Sequence, residues 1–177
     1  MNANTARHVV ARCAQQTGEE TIMIDTREEN IKVLRAVPAI MRALTQDQDD
    51  ATLRQRPSLG EWAAIEVIMH MADTDERALE RIRRMRDEDE PYLPAFDPEA
   101  LAVERAYISA PTEPALRRLE EVITTLVTEL SALDDNGWAR MGRQEAHGPV
   151  SIATYFSHVA AEDVDHLAQI ARLGKTS

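Results

Sequence analysis

The chain has 177 residues and a net charge of −11 from 31 acidic and 20 basic side chains, with 44% apolar and 29% charged residues. That is the composition of one soluble globular domain with an adequate core, and no apolar run approaches the roughly 20 residues that span a bilayer. The acidic excess repels phosphate backbones and argues against nucleic acid as a partner; the richest basic stretch, RALERIRRMR at 77–86, lies between acidic residues and reads as a solvated helix face.

Residues 1–20 form an N-terminal extension with room for a short helix, ahead of one domain over 21–177. Charges run through MNANTARHVVARCAQQTGEE and no apolar signal-peptide core is present. Together with the single cysteine, Cys13, this points to a reducing, cytoplasmic compartment. A first strong helix opens at Asp25-Thr26 and carries Ile31, Leu34, Val37, Met41 and Leu44, with Pro38 as a kink. A second opens at PSLGEW, where Ser58 and Glu61 have capping-box spacing. Its stripe of Trp62, Ile65, Met69, Ala72, Leu79 and Ile82 runs to the acidic DEDEP. PYLPAFDPEALAVERAY begins as a proline-rich loop and becomes a short helix capped by Asp97 with Pro98 at its first position. A third long helix starts at Thr112 and carries Leu116, Leu119, Ile123, Leu126, Leu130 and Leu133 to a stop at Asp134-Asp135-Asn136-Gly137. NGWARMGRQEAHGPV reads as a glycine-marked loop. The last helix begins near Ser151 and ends at Gly174. Strand-like alternation is absent. Four long amphipathic helices, with a long connection between the second and third, predict an all-α four-helix bundle.

Five histidines punctuate the pattern: His8, His70, His147, His158 and His166. His8, in the extension, gets no role. His147 precedes the last helix, where a turn or capping role is the default and a place over the mouth of a site is the alternative. His70 lies mid-helix beside the apolar stripe, where one imidazole is more often satisfied by a hydrogen bond than bound to a metal. The last helix shifts that balance, because His158, Glu162 and His166 fall at steps of four on one face. Two ligands four apart can converge on one ion, whereas His158 and His166 are two turns apart and too far to chelate together. Glu162, Asp163 and Asp165 could equally be a solvated acidic face. With His70 as the partner from another helix, His70, Glu162 and His166 would form a two-imidazole, one-carboxylate set suited to zinc, iron, nickel or manganese.

Two motifs, PxxGEWxxxEVxxHxxDxxE over 57–76 and HxxxxDxxHLxQI over 158–170, together resemble the DinB/YfiT-like superfamily from about residue 25 to the C-terminus. The proline-rich connection, the leucine-rich third helix and the tryptophan–arginine–glycine loop support the resemblance. It implies an up-down-down-up four-helix bundle, often a homodimer, with a divalent metal held by three histidines. Carried over by position, these fall on His70, Glu162 and His166, so a glutamate stands where the family places a histidine. His158 matches a further family histidine one turn earlier. Asp73 matches a frequent family aspartate, as a partner to a ligand or a structural cap, and Asp163 matches the aspartate beside the replaced histidine.

The resemblance further implies a metal-dependent enzyme, a thiol-dependent transferase or isomerase or a hydrolase-like protein, acting with a low-molecular-weight thiol or another small-molecule substrate. A bound cation lowers a thiol's pKa, and the thiolate is the nucleophile. The alternative is a metal-free bundle that binds a small ligand or acts as a stress-associated interaction module, with Glu162 marking a lost metal site. No serine–histidine–acid or cysteine–histidine constellation and no glycine-rich phosphate loop stands out.

Overall fold

A computed structural model describes residues 26–174. The expectations for the 1–20 extension, His8 and Cys13 lie outside the described residues. Four long helices dominate: α1 (Thr26–Thr45), α3 (Ala64–Asp87), α5 (Thr112–Ser131) and α7 (Ile152–Leu173). Short helices α2 (Asp50–Leu53), α4 (Pro98–Glu104) and α6 (Asp135–Trp138) and a 3₁₀ turn (Tyr107–Ser109) fill the connections. No described helix is long and apolar enough to cross a membrane.

Contacts between named residues fix the directions. Arg42, late in α1, meets Glu113 and Glu120 in the first half of α5 at 3.1 and 3.2 Å, so these helices are antiparallel. On α3, Glu76 pairs with Arg118 and Arg83 with Glu129, which makes α3 and α5 parallel. Arg81 and His70 on α3 meet Tyr155 and His166 on α7 in reverse order, an antiparallel pair. Asn30 reaches Ser157 at 3.1 Å, and Gln48 lies beside Gly174, so α1 and α7 are parallel. The result is an up-down-down-up four-helix bundle in which α1 and α3 each pack against both α5 and α7. Leu34, Val37, Met41, Ile65, Ile68, Ile82, Leu119, Ile123, Leu126, Phe156 and Ile170 are among the buried residues that form one core.

Two features differ from the sequence expectation. The helix expected from PSLGEW starts later, at Ala64. Ser58 Oγ does donate to Glu61 at 2.7 Å, but within a turn where Gly60 has a φ of +86°. Glu66 does the work at the helix start: its carboxylate accepts from the Ala63 N–H at 2.9 Å and from Arg56. Ala63 has no side-chain acceptor, so only the glutamate half of a capping box is present. Burial works against the Glu66 charge, yet Arg56 and the Ala63 N–H hold its carboxyl below the usual range.

The second difference is a small sheet, where no strands were expected. β1 (Tyr92–Leu93) pairs in parallel with β2 (Met141–Gln144), which forms an antiparallel hairpin with β3 (Gly148–Ser151). This hairpin lies within the supposed glycine-marked loop and is held by tertiary contacts. Arg140 Nε donates to Met85 O at 3.0 Å and its Nη2 to Glu88 O, satisfying carbonyls at the end of α3. A Cβ at Gly142 would lie 2.8 Å from Met85 Cγ and 3.0 Å from Leu93 Cδ1, so any larger residue would force these buried side chains to shift. The hairpin turn thereby hangs Glu145 and His147 over the α3–α7 seam.

Candidate functional site

The seam between α3 and α7 holds the polar residues that the sequence singled out. His70 and His166 are in edge-to-face contact, ring centroids 4.9 Å apart, and Trp62 is in edge contact with His70 at the same centroid distance. His166 Nδ1–H donates to Gln169 Oε1 at 3.1 Å, which leaves Nε2 with its lone pair. His70 Nε2 lies 3.5 Å from Thr74 Oγ1, the outer limit of a hydrogen bond, and its buried Nδ1 has no partner. Burial and the neighbouring His166 push the His70 pKa down to about 4, against an opposing pull from Asp73. His70 is therefore a neutral imidazole at physiological pH.

His70 separates two clefts. On one side, Trp62, Glu61, Glu99 and His166 line a space of about 620 Å³, with Trp62 Nε1 donating to Glu99 at 3.3 Å. On the other, Phe96, Tyr155, His147, His158 and Glu162 line a narrower one of about 390 Å³. The three candidate ligands thus divide: His70 faces both spaces, His166 the Trp62 cleft and Glu162 the Phe96 cleft. No three His, Cys, Asp or Glu side chains among the described residues are grouped closely enough to hold a metal ion. Two imidazoles meet, one with a lone pair directed by Gln169 and one with an orphaned nitrogen. The carboxylate does not close the set, so the donors as placed fit a divalent ion only in part.

The remaining candidates are placed as follows. His147 and His158 are exposed at the rim of the Phe96 cleft. Asp73 faces α5 instead, where it accepts from Arg105, Arg118 and the Tyr107 hydroxyl. Asp163 is buried beneath Glu162, with Oδ2 unpartnered. Facing it is a residue that the sequence analysis passed over. Asp75 is fully buried, and neither carboxylate oxygen has a hydrogen bond. Burial raises both carboxyls. Asp163 and Glu162 add to the effect on Asp75, whose pKa lies well above the ordinary value, and Glu162 adds to that on Asp163, pushed up to about 7. A signal was available: Ile68, Ala72, Asp75, Leu79 and Ile82 step by four and three, which puts Asp75 squarely in the apolar stripe.

All five buried polar side-chain atoms without a partner among the described residues are on these two helices: His70 Nδ1, both oxygens of Asp75, Arg77 Nε and Asp163 Oδ2. Native interiors satisfy most such groups, and concentrated exceptions mark sites built for something other than stability.

The profile of the DinB superfamily matches residues 33–170 of this chain. A protein of Oceanobacillus iheyensis named a putative metal-dependent hydrolase is 22% identical over 151 residues, 85% of this chain and 87% of that one. A protein of Geobacillus kaustophilus with the same activity in its name is 26% identical over 149 residues, 84% of each chain. Among solved structures, YfiT from Bacillus subtilis, described as a probable metal-dependent hydrolase with an unusual four-helix bundle topology, superposes with a TM-score of 0.81 at 20% identity. The match covers 90% of this chain and 92% of YfiT. A mycothiol-dependent maleylpyruvate isomerase superposes with a TM-score of 0.62 at 20% identity over 81% of this chain, which spans 60% of the isomerase.

Proposed function

The chain belongs to the DinB superfamily, and on that premise we propose that it is a divalent-metal-dependent enzyme acting on a small molecule, with the α3–α7 seam as its active site. The observation that carries this reading is the gathering of every unpartnered buried polar atom of the described residues on α3 and α7, around two imidazoles in contact. The names of the relatives support the metal, and the isomerase neighbour supports a low-molecular-weight thiol as co-substrate.

In this reading His70 and His166 hold the ion, with Glu162 as the third donor. When bound, the ion would supply Lewis acidity, lowering the pKa of a thiol or water brought to it. The protein's own groups do the rest. The low His70 pKa keeps a lone pair available at neutral pH, and Gln169 fixes the His166 tautomer and ring orientation. Trp62, packed against His70, keeps water from one side of that ring. Glu162 is exposed and makes no hydrogen bond or ion pair with any described residue, so its side chain is unrestrained.

A second reading has its own support. With Glu162 at the family's histidine position and facing a different cleft from His166, the site would be a metal-free pocket for a small ligand. Elemental analysis of protein purified without affinity tag or chelator separates the two. The enzyme reading expects about one metal ion per chain in the wild type, lost in His166→Ala. Metal absent from the wild type but gained in Glu162→His would establish the second reading instead.

A further inference from the structure

Arg77 and Arg81, one turn apart on α3, both line the Phe96 cleft, whereas the basic stretch containing them reads from sequence as a solvated face. Neither has a carboxylate partner among the described residues of a chain with 31 acidic side chains. Their neighbours Arg83, Arg84 and Arg86 each do, pairing with Glu129, Glu88 and Asp87. An acidic protein that leaves two guanidiniums unneutralised in one cleft has kept their charge for something else.

Both side chains are nevertheless held in place. The Arg77 guanidinium lies over the Phe96 ring, Cζ 4.3 Å from the centroid, and its buried Nε has no partner. Arg81 sits over Tyr155 at 5.8 Å, donates from Nη1 to the Tyr155 hydroxyl at 3.3 Å and from Nη2 to Pro94 O. Stacking fixes the plane of a guanidinium without consuming its charge. Phe96 and Pro94 come from the proline-rich connection between α3 and α5, so the long crossover builds this wall of the cleft.

The charge balance narrows the ligand. Glu145 and Glu162 also line the cleft; Glu145 is engaged by the Ala95 N–H at 2.8 Å, while Glu162 makes no such contact. Two carboxylates there repel a dianion such as a phosphate monoester more than a single carboxylate. Guanidinium forks match the planar carboxylate geometrically. The other walls, Leu93, Phe96, Tyr155 and Val159, are apolar or aromatic, and about 390 Å³ falls within the range of small-molecule pockets.

We propose that the Phe96 cleft binds a small monocarboxylic acid with an apolar body, its carboxylate held by Arg77 and Arg81 and its body packed against Phe96 and Tyr155. As an assignment of substrate class, this rests on reading the α3–α7 seam as the active site. The binding itself is testable without metal.

Isothermal titration of chelator-treated protein with phenylacetate and hexanoate, with their neutral amides, and with phenyl phosphate tests it. Wild type is expected to bind at least one of the acids ten-fold or more tighter than its amide. In Arg77→Gln and Arg81→Gln that preference should fall ten-fold or more, while Arg84→Gln, on the same helix but paired with Glu88 outside the cleft, keeps it. Should the arginine variants fail to fold, Phe96→Leu keeps both charges, removes the stack and is expected to weaken acid binding several-fold. The proposal is overturned by equal binding of acids and amides, by no binding of either, or by a preference unchanged in the foldable variants. Tighter binding of phenyl phosphate overturns the monocarboxylate assignment. All these measurements are made on metal-free protein, so their failure leaves the metal-content result standing. Acid binding by a protein that never holds metal would leave a ligand pocket without the enzyme.

Discussion

Asp73 and Asp75 sit two residues apart on α3 and are both buried, yet one is met by three donors and the other by none. Asp73 faces α5 and accepts from Arg105, Arg118 and the Tyr107 hydroxyl, with Arg118 also bound to Glu76. Burial first, and then Asp73 itself, raise the Tyr107 pKa, so its hydroxyl keeps its proton and remains a donor. Asp75 faces α7, where two further carboxyls, Asp163 and Glu162, add to the effect of burial in raising its pKa. The same helix therefore presents a fully satisfied carboxylate on one face and an orphaned one on the other. The α3–α5 seam is organised for stability. The α3–α7 seam carries polar groups at a cost in stability, the usual mark of a site.

The contrast can be broken by substitution. Asp73→Ala leaves Arg118 and the Tyr107 hydroxyl short of their partner, and loss of one member of a buried charge network is expected to cost about 3–5 kcal/mol, read by chemical denaturation at pH 7. Asp75→Asn should do the reverse. Burial first, then Asp163 and Glu162, raise the folded Asp75 pKa, so its contribution is least unfavourable near pH 4 and becomes increasingly destabilising as pH rises from there toward the folded pKa. The substitution is expected to stabilise the protein at pH 7 in chemical denaturation, with the gain shrinking as pH falls toward 4. Equal destabilisation by both variants, at both pH values, would show that the two aspartates play the same structural part.

The bundle was legible because its information is periodic and local. The apolar stripes of α1, α5 and α7 step by three and four, and the core residues found on them include Leu34, Val37 and Met41, Leu119, Ile123 and Leu126, and Phe156 and Ile170. The four-residue steps of His158, Glu162 and His166, with His70 as the histidine available on another long helix, paired His70 with His166 as candidates, and the fold brings their rings into contact. What was not legible depends on distant partners. Ser58 and Glu61 have capping-box spacing and do bond, but whether a helix follows is decided by the turn at Gly60 and by Arg56 reaching Glu66. The hairpin strands are only four residues long and mix polar with apolar, so their pairing is settled by Arg140 on the end of α3 and by Gly142 against Met85. Arg77 and Arg81 look like any charged helix face until the crossover lays Phe96 and Pro94 over them.

The smallest of these effects sharpens the contrast within the α3–α7 seam itself, because His70 responds to acid in the opposite sense from Asp75. An imidazole whose folded pKa lies near 4, below the ordinary 6.5, takes up its proton more readily in the unfolded chain. Its contribution to stability is intact above about pH 6.5 and is lost as pH falls from there toward 4. The ring is partly exposed, so the loss is discounted to about 2 kcal/mol. In metal-free protein, the stability advantage of wild type over His70→Gln should therefore shrink by about that amount between pH 7 and pH 4, while the advantage of Asp75→Asn over wild type shrinks across the same interval for the opposite reason. The His70 ring resonances should titrate with a midpoint near 4 in wild type, and move upward in His166→Ala as the neighbouring ring is removed. A midpoint near 6.5 in wild type would mean that the ring is solvated, and the seam would then hold one class of unsatisfied group, the carboxyls, rather than two that oppose each other.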